Sequence, residues 1–185
     1  MACARDWRST SERAFGAFAR RRGGFKLGEM KLQFGTARPG LDYIHRPAVF
    51  GIAEREGRLA CVRVDRGEGV VYYDLPGGAL DGEETEQQAL VREFAEETGL
   101  IIQPVDRLTE AGQYFLKSDG TPVNNVGGVW VVSVTGADPS TKQEADHELV
   151  WMEPMRVLFS LRHEAHSWAV ARWLRDRHAA ASEPG

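Results

Sequence analysis

The stretch "GGALDGEETEQQALVREFAEETGL", residues 77–100, constrains this chain more than any other. Its centre has helical apolar spacing and Gly99 stands where a left-handed cap would end a helix, so the pattern predicts a helix from Glu84 to about Thr98. At about 100° per residue from Ala89, Glu93, Glu96 and Glu97 fall at roughly 40°, 340° and 80°, and Leu90, Phe94 and Val91 at roughly 100°, 140° and 200°. The helix is thereby expected to dock its apolar face on a sheet while its carboxylates look outward, with small Ala89 leaving room above them. Arg92 is placed to hold one carboxylate and leave the others free. Like charges at this spacing destabilise a helix by a few tenths of a kcal/mol per pair. A glutamate-rich helix is ordinarily only a solvated face. Here the acids cluster on one side, a Gly-rich turn leads into the loop before them, and Gly99 stops the helix just after them. Converging carboxylates are what a hard cation such as Mg²⁺ requires, and such a cation is commonly completed by substrate phosphates.

A chain of 185 residues, 42% of them hydrophobic, is long enough for one ordinary core and calls for no second. Its net charge of -4 argues against general nucleic-acid binding through phosphates. Cys3 and Cys61 match no metal-ligand spacing and form no disulfide framework, which points to a reducing compartment and a cytoplasmic location. The longest apolar runs, such as "GGVWVVSV", fall well short of the roughly 20 residues of a membrane helix, so no membrane partner is expected.

Residues 1–29 differ in composition, rich in Arg, Ser and Gly. They read as a flexible basic arm or as text preceding a true start at Met30. A weak amphipathic helix and an organelle-targeting sequence are further readings. Beyond them, Ala48–Glu54 and Arg58–Asp65 read as a hairpin, and "GVVYYDLPGG" as a strand running into a break. "GLIIQPVDRLTEAGQYFLK" reads as strand, connection, strand; "SDGTPVNN" as a loop; "VGGVWVVSVTG" as a strand; "ADPSTKQEADH" as a second loop; "ELVWMEP" as a short strand. One or two amphipathic helices close the chain. The fold class expected is α/β, a sandwich with a mixed sheet.

Residues 78–100 also resemble the box of the Nudix hydrolases, G-x5-E-x7-R-E-U-x-E-E-x-G-U with U apolar. Gly78, Glu84, Arg92, Glu93, Glu96, Glu97 and Gly99 match its fixed positions, and Phe94 and Leu100 fill the U positions. Phe94 departs slightly, since an aliphatic residue is more usual there. The resemblance implies a Nudix-type α/β/α sandwich over residues 42–178, with the box as a loop-helix-loop. It implies Mg²⁺, with Mn²⁺ as the alternative cofactor, on Glu93, Glu96, Glu97 and the carbonyl of Gly78. Arg92 would orient a glutamate, with Glu84 and Gly99 supporting the box. The reaction implied is attack of water on a diphosphate linkage of a nucleotide or dinucleoside polyphosphate. Its general base is Glu93 or Glu96, or Glu144 or Asp146 from the later loop, whereas His147 is read as a surface residue.

For the substrate side the expectation names Tyr43 and Arg46, Tyr114, and Asn124 with Asn125, the asparagines being equally readable as turn formers. Dinucleoside polyphosphate hydrolases of the family tend to carry a Tyr where Tyr114 stands, and ADP-ribose hydrolases a Pro. The alternatives are a catalytically silent Nudix domain, which would usually lack box glutamates that this chain retains, and an isoprenoid diphosphate isomerase, for which Cys61 has no evident partner. A small-molecule nucleotide is the partner implied, and a homodimer is compatible with it. Because residues 1–29 hold little strand-forming text and none of the box, their deletion should leave activity and melting temperature nearly unchanged. A purified chain beginning at Met30, assayed beside the full chain, checks this.

Overall fold

A computed structural model describes residues 32–67 and 69–182. Every described residue belongs to one compact unit, residues 31–185; the expected arm, residues 1–29, lies outside the described residues.

Among the described residues eight strands and three α-helices follow one another: β1 (Leu32–Phe34), β2 (Ile44–Arg55), β3 (Arg58–Asp65), β4 (Val71–Asp74), β5 (Gly77–Ala79), α1 (Glu86–Thr98), β6 (Leu100–Leu116), β7 (Pro122–Ala137), β8 (His147–Met152), α2 (Pro154–Ser160) and α3 (Glu164–Ser182). The sheet order is β1-β6-β7-β2-β3-β4, with β5 added on β2 and β8 on β3. β1 runs parallel to β6 and β2 parallel to β7, while the other pairings are antiparallel, so the sheet is mixed as expected. The hairpin forms at Glu54↔Leu59 and Arg55↔Arg58. β2 thereafter belongs to β7 and β5, and β3 to β4 and β8.

Side chains alternate across a strand, and this alternation builds the layers. On β2, Val49 and Ala53 pack with Leu90 and Phe94 of α1, whereas Phe50 and Ile52 pack with Val157 of α2 and with Val170 and Trp173 of α3. One helix covers one face and two cover the other, which is an α/β/α sandwich. Gly51 also faces α1: a Cβ there would lie 2.6 Å from the Phe94 ring. The aromatic ring at a position where an aliphatic residue is more usual is thus accommodated by a missing side chain on the strand beneath.

Several boundaries differ from the sequence reading, each for a local reason. The helix begins at Glu86, because Thr85 caps it and Gln88 completes a capping box. It ends as expected at Gly99, with φ 71°. Val91 is exposed and Ala89 fully buried, so the packing stripe is Ala89, Leu90 and Phe94, and Ala89 belongs to the packing face and not to the acidic one. The Pro-Gly-Gly break contains the short strand β5, paired with β2. β6 is one strand of 17 residues, its irregular text absorbed by register shifts that include Pro104/Asp106. β7 starts at Pro122, so the two asparagines are strand residues, not turn formers.

Phe94 is fully buried between α1 and β2. Phe94→Ala should cost about 3–5 kcal/mol in urea unfolding, while Val91→Ala on the exposed flank of the same helix should change stability by less than about 0.5 kcal/mol.

Candidate active site

The acidic face of α1 does not look outward. Gly77 and Gly78 of β5 lie over it, and a Cβ on Gly78 would fall 2.6 Å from Glu93 Oε1, so only glycine allows the strand to approach. Glu93 and Glu97 are buried, 9% and 7% exposed. Glu97 Oε2 accepts the Gly77 N–H at 2.8 Å. Burial pushes the Glu97 carboxyl up to about 7, against the lowering influence of His147 and the Gly77 amide. Burial also raises Glu93, with Arg92 opposing. Arg92 holds more than one carboxylate. Its guanidinium donates to both oxygens of Glu84 (2.9 and 2.8 Å), to Glu93 Oε1 (2.9 Å), to Glu96 Oε2 (3.1 Å) and to the Ala79 carbonyl (3.0 Å). Its hydrogen bonds hold Glu84 down to about 2. Glu97 alone of the four box glutamates is left out of this fork.

The second wall comes from the loop after β7. The last carbonyls of a helix lack intrahelical partners, and here the loop supplies them: Gln143 and Glu144 donate their N–H groups to the Glu96 carbonyl at 2.8 and 3.2 Å. That anchor carries Glu144 to the acidic face, and His147 follows as the first residue of β8. His147, read from the sequence as a surface residue, is mostly buried. Its Nδ1 lies 3.2 Å from Glu97 Oε1 and against Glu144 Oε2. The nitrogen is buried between these two carboxylates, which are its ionic partners. Burial disfavours its charge, yet Glu97, Glu144 and Asp146 together raise it above the ordinary imidazole value. Asp146 is turned to Arg66 in an ion pair.

These groups line a cleft of about 620 Å³. Its remaining walls carry Arg46, Arg66, Lys117 and Arg162 beside Tyr72 and Phe115. Arg46 donates to Asn125 Oδ1 at 2.9 Å, and burial lowers its pKa while the negative charge of Glu93 offsets part of that. Arg162 lies 3.8 Å above the Tyr72 ring and pairs with Asp74. Asp74 faces His163 and His166 at 4.0 and 3.8 Å. Burial raises Asp74 to about 6, lowers His163 to about 3 and holds His166 well below the usual imidazole range.

Of the residues expected from sequence, Glu93, Glu97, Gly78, Glu144, Asp146 and Arg46 line this cleft. Glu96 stands beside it, its carboxylate taken by Arg92 and Gln143. Asn124 does not reach the cleft, because alternation along β7 turns it to the opposite side from Asn125; it is 1% exposed and exchanges hydrogen bonds with Gln33. Tyr43 and Tyr114 pack edge to face at 4.9 Å, away from the lining. The sequence reading missed Asp74, Arg162 and His163, and for these the chain offers no local signal, since β4 and the α2–α3 connection meet only in the fold. Cys61, buried with its thiol pushed up to about 12, offers no nucleophile.

Fit to a divalent cation can be judged on these atoms. Single ligand atoms of Glu97, Glu144 and His147 lie within 4.8 Å of one another, and Gly78 leaves the approach clear. The two carboxylate oxygens among them, with Glu93 beside them in the cleft, suit a hard cation.

A Gly-rich strand, a capped helix with its acids turned inward, and a mixed sheet between helices define the Nudix fold. A family model described as the NUDIX domain matches residues 44–174, and the chain belongs to the Nudix family. A MutT-like protein of Streptomyces ambofaciens is 41% identical over 68 residues, covering 36% of this chain and 41% of that relative, so the chain spans about two fifths of the relative's length. A NUDIX hydrolase from Nitrosomonas europaea is similar in structure, with TM-score 0.61 and 18% identity over 72% of this chain and 90% of that one. A MutT protein from Methanosarcina mazei gives TM-score 0.55 at 20% identity over 74% and 98%. An ADP-ribose pyrophosphatase from Streptococcus suis gives 0.52 at 15% identity over 76% and 94%. Among the described residues no helix is long and apolar enough to cross a membrane.

The buried cluster at Asp74 makes a pH prediction. With a folded-state value of about 6 against an ordinary value of about 3.9, Asp74 keeps a proton that the unfolded chain loses. Its contribution is therefore fully present below about pH 4 and is lost as pH rises through 6. His163 and His166 act oppositely, withdrawing stability as pH falls below about 6.5. Asn at position 74 retains the histidine effect and lacks the other. The stability advantage of wild type over Asp74→Asn in urea unfolding should shrink from about pH 4.5 to 7, and an advantage that grows would reverse the assignment.

Proposed function

We propose that this protein is a Mg²⁺-dependent hydrolase that cleaves the diphosphate linkage of a nucleotide or dinucleoside polyphosphate. The observation that carries the reading is the burial of Glu93 and Glu97 against Glu144 in a cleft whose other walls hold Arg46, Arg66, Lys117 and Arg162. Buried carboxylates this close ionise together only at a cost that a shared cation removes, and a cluster of cations opposite them suits a polyanion.

Glu93, Glu96, Glu97 and the Gly78 carbonyl would hold the ion, Mg²⁺ or Mn²⁺. When bound, that ion neutralises phosphate charge and acidifies a coordinated water. The chain's own residues do the rest. Arg46, free of any ion pair among the described residues, orients a phosphate opposite Glu93. Lys117 adds charge from the turn after β6. Glu144 accepts the proton of the attacking water as the new P–O bond forms and the bridging P–O bond breaks. Asp146 is less suited to that role, because Arg66 already claims it. Arg92 holds Glu93 and Glu96 in place, with Glu84 fixing the other side of its fork. Tyr72, with the stacked Arg162, offers the flat surface that a nucleobase needs. The retention of every box glutamate weighs against a silent binding domain.

Glu97→Gln keeps size and the Gly77 contact but removes charge, and should cut turnover by at least about a hundredfold with an unchanged far-ultraviolet circular dichroism spectrum. Millimolar Mg²⁺ should raise the melting temperature of the wild type through linkage, and that of Glu97→Gln less. A panel of nucleotides scored for phosphate, pyrophosphate and nucleoside monophosphate supplies the substrate. Near wild-type turnover and an equal Mg²⁺ shift in the variant would reduce the acidic cluster to a structural one.

A further inference from the structure

We propose that Asn125 is a positioning residue for phosphate binding, an uncharged holder that orients the Arg46 guanidinium and leaves its positive charge whole for a diphosphate. The inference rests on the hydrolase reading above, in which Arg46 meets a phosphate, and it gives Asn125 a task other than the base edge expected from sequence.

Arg46 and Asn125 are register partners on β2 and β7, and side chains of paired residues project to the same face of a sheet. Both line the cleft. Arg46 Nε donates to Asn125 Oδ1 at 2.9 Å. That bond is not needed to hold the strands, which are already laddered from Ile44↔Val123 to Pro47↔Val126. Asn125 is buried, and because a guanidinium only donates, the amide oxygen is the atom that faces Arg46. A guanidinium held at Nε keeps its planar fork in one orientation. Its terminal nitrogens, which meet no other partner among the described residues, are left for the oxygens of a phosphate.

Charge separates this arginine from its neighbours. Among the described residues three arginines line the cleft, Arg46, Arg66 and Arg162. Arg66 is paired with Asp146 and Arg162 with Asp74, so each brings its charge already compensated. Arg46 is held instead by an amide, which supplies direction without charge. Burial lowers the pKa of Arg46, with Glu93 opposing, and the same guanidinium helps to depress His163. Its field thus reaches from the acidic face of α1 to the wall that carries Arg162 and Phe115. A diphosphate held by the acids at one end, with its base against Tyr72, would lie across that interval. A carboxylate in place of the amide would grip the guanidinium as firmly and cancel the charge that the ligand needs. The choice of asparagine is therefore a matter of electrostatics and not of hydrogen-bond geometry.

The test uses inorganic pyrophosphate as the probe, titrated calorimetrically into the full chain in the presence of Mg²⁺. Asn125→Asp keeps the acceptor and adds a charge, whereas Asn125→Ala removes the acceptor and adds none. Asn125→Asp is expected to weaken pyrophosphate binding by about tenfold or more, the size of one charge-assisted hydrogen bond, and by more than Asn125→Ala does. A purely structural bond predicts the opposite order, so binding by Asn125→Asp as tight as that of Asn125→Ala, or tighter, overturns the inference. In an Arg46→Gln background the aspartate should cost less than about twofold, the scatter of independent sites, because its penalty acts through Arg46. An undiminished penalty there is direct repulsion of the ligand and also overturns it. Arg46→Lys keeps the charge without the fork on a side chain that is only half buried, and should weaken binding by about tenfold as well. Wild-type affinity in that variant overturns the inference without any change at position 125. Either failure, beside Mg²⁺-dependent hydrolysis of a nucleotide by the wild type, removes this inference and leaves the hydrolase reading standing. A wild type that binds no pyrophosphate overturns the inference, and if it also hydrolyses no nucleotide of the panel, the hydrolase reading falls with it.

Discussion

The fork of Arg92 is the interaction on which the rest of the site depends. One guanidinium grips Glu84 with two hydrogen bonds, reaches Glu93 and Glu96, and ties itself to the Ala79 carbonyl. It thereby joins the loop before the helix, the helix and β5 through one planar group. Lysine could supply the charge but not the geometry, since its ammonium is a point donor and the fork is not. Without this clamp α1 would carry several like charges against a strand. With it, the repulsion is confined to the neighbourhood of Glu97, where the chain sets Glu144 and His147.

Burial of the remaining acids is a standing tension. Removing a carboxylate from water costs several kcal/mol even after relaxation, and the rise of Glu97 to about 7 expresses that cost directly. The apolar contacts of Leu90 and Phe94 beneath, the capping box at Thr85 and the Glu86 carboxylate keep the helix in place against it. Glu86 accepts hydrogen bonds from Arg107, Trp130 and the Gly128 amide, pinning the start of α1 to β6 and β7. A destabilising cluster is held by stabilising contacts on the opposite face of the same helix.

How much of this was legible in the chain follows from range. The box residues, the C-cap at Gly99 and the mixed sheet could be read because each rests on spacing or local chemistry. The inward turn of the acids could not, since it depends on β5 crossing above them, and a Pro-Gly-Gly sequence reads as a break. His147 was missed because a lone histidine at a strand start resembles any exposed one until the loop before it is anchored. Asn124 and Asn125 were read together, yet neighbouring strand residues face opposite ways, and only Asn125 reaches the cleft. Asp74, Arg162 and His163 belong to segments far apart in the chain, and nothing in either segment announces the other.

The attachment of the 138–146 loop to the end of α1 runs through main-chain atoms: the Glu96 carbonyl receives the amides of Gln143 and Glu144, and the Gly99 carbonyl that of Asp138. Thr141, Lys142 and Gln143 add side-chain hydrogen bonds to that anchor, but the register of the loop is set by the main chain. A single inserted or deleted residue would slide Glu144 off its mark. For protein engineers the loop is thus strict in length, a constraint that comparison of side chains alone would not disclose.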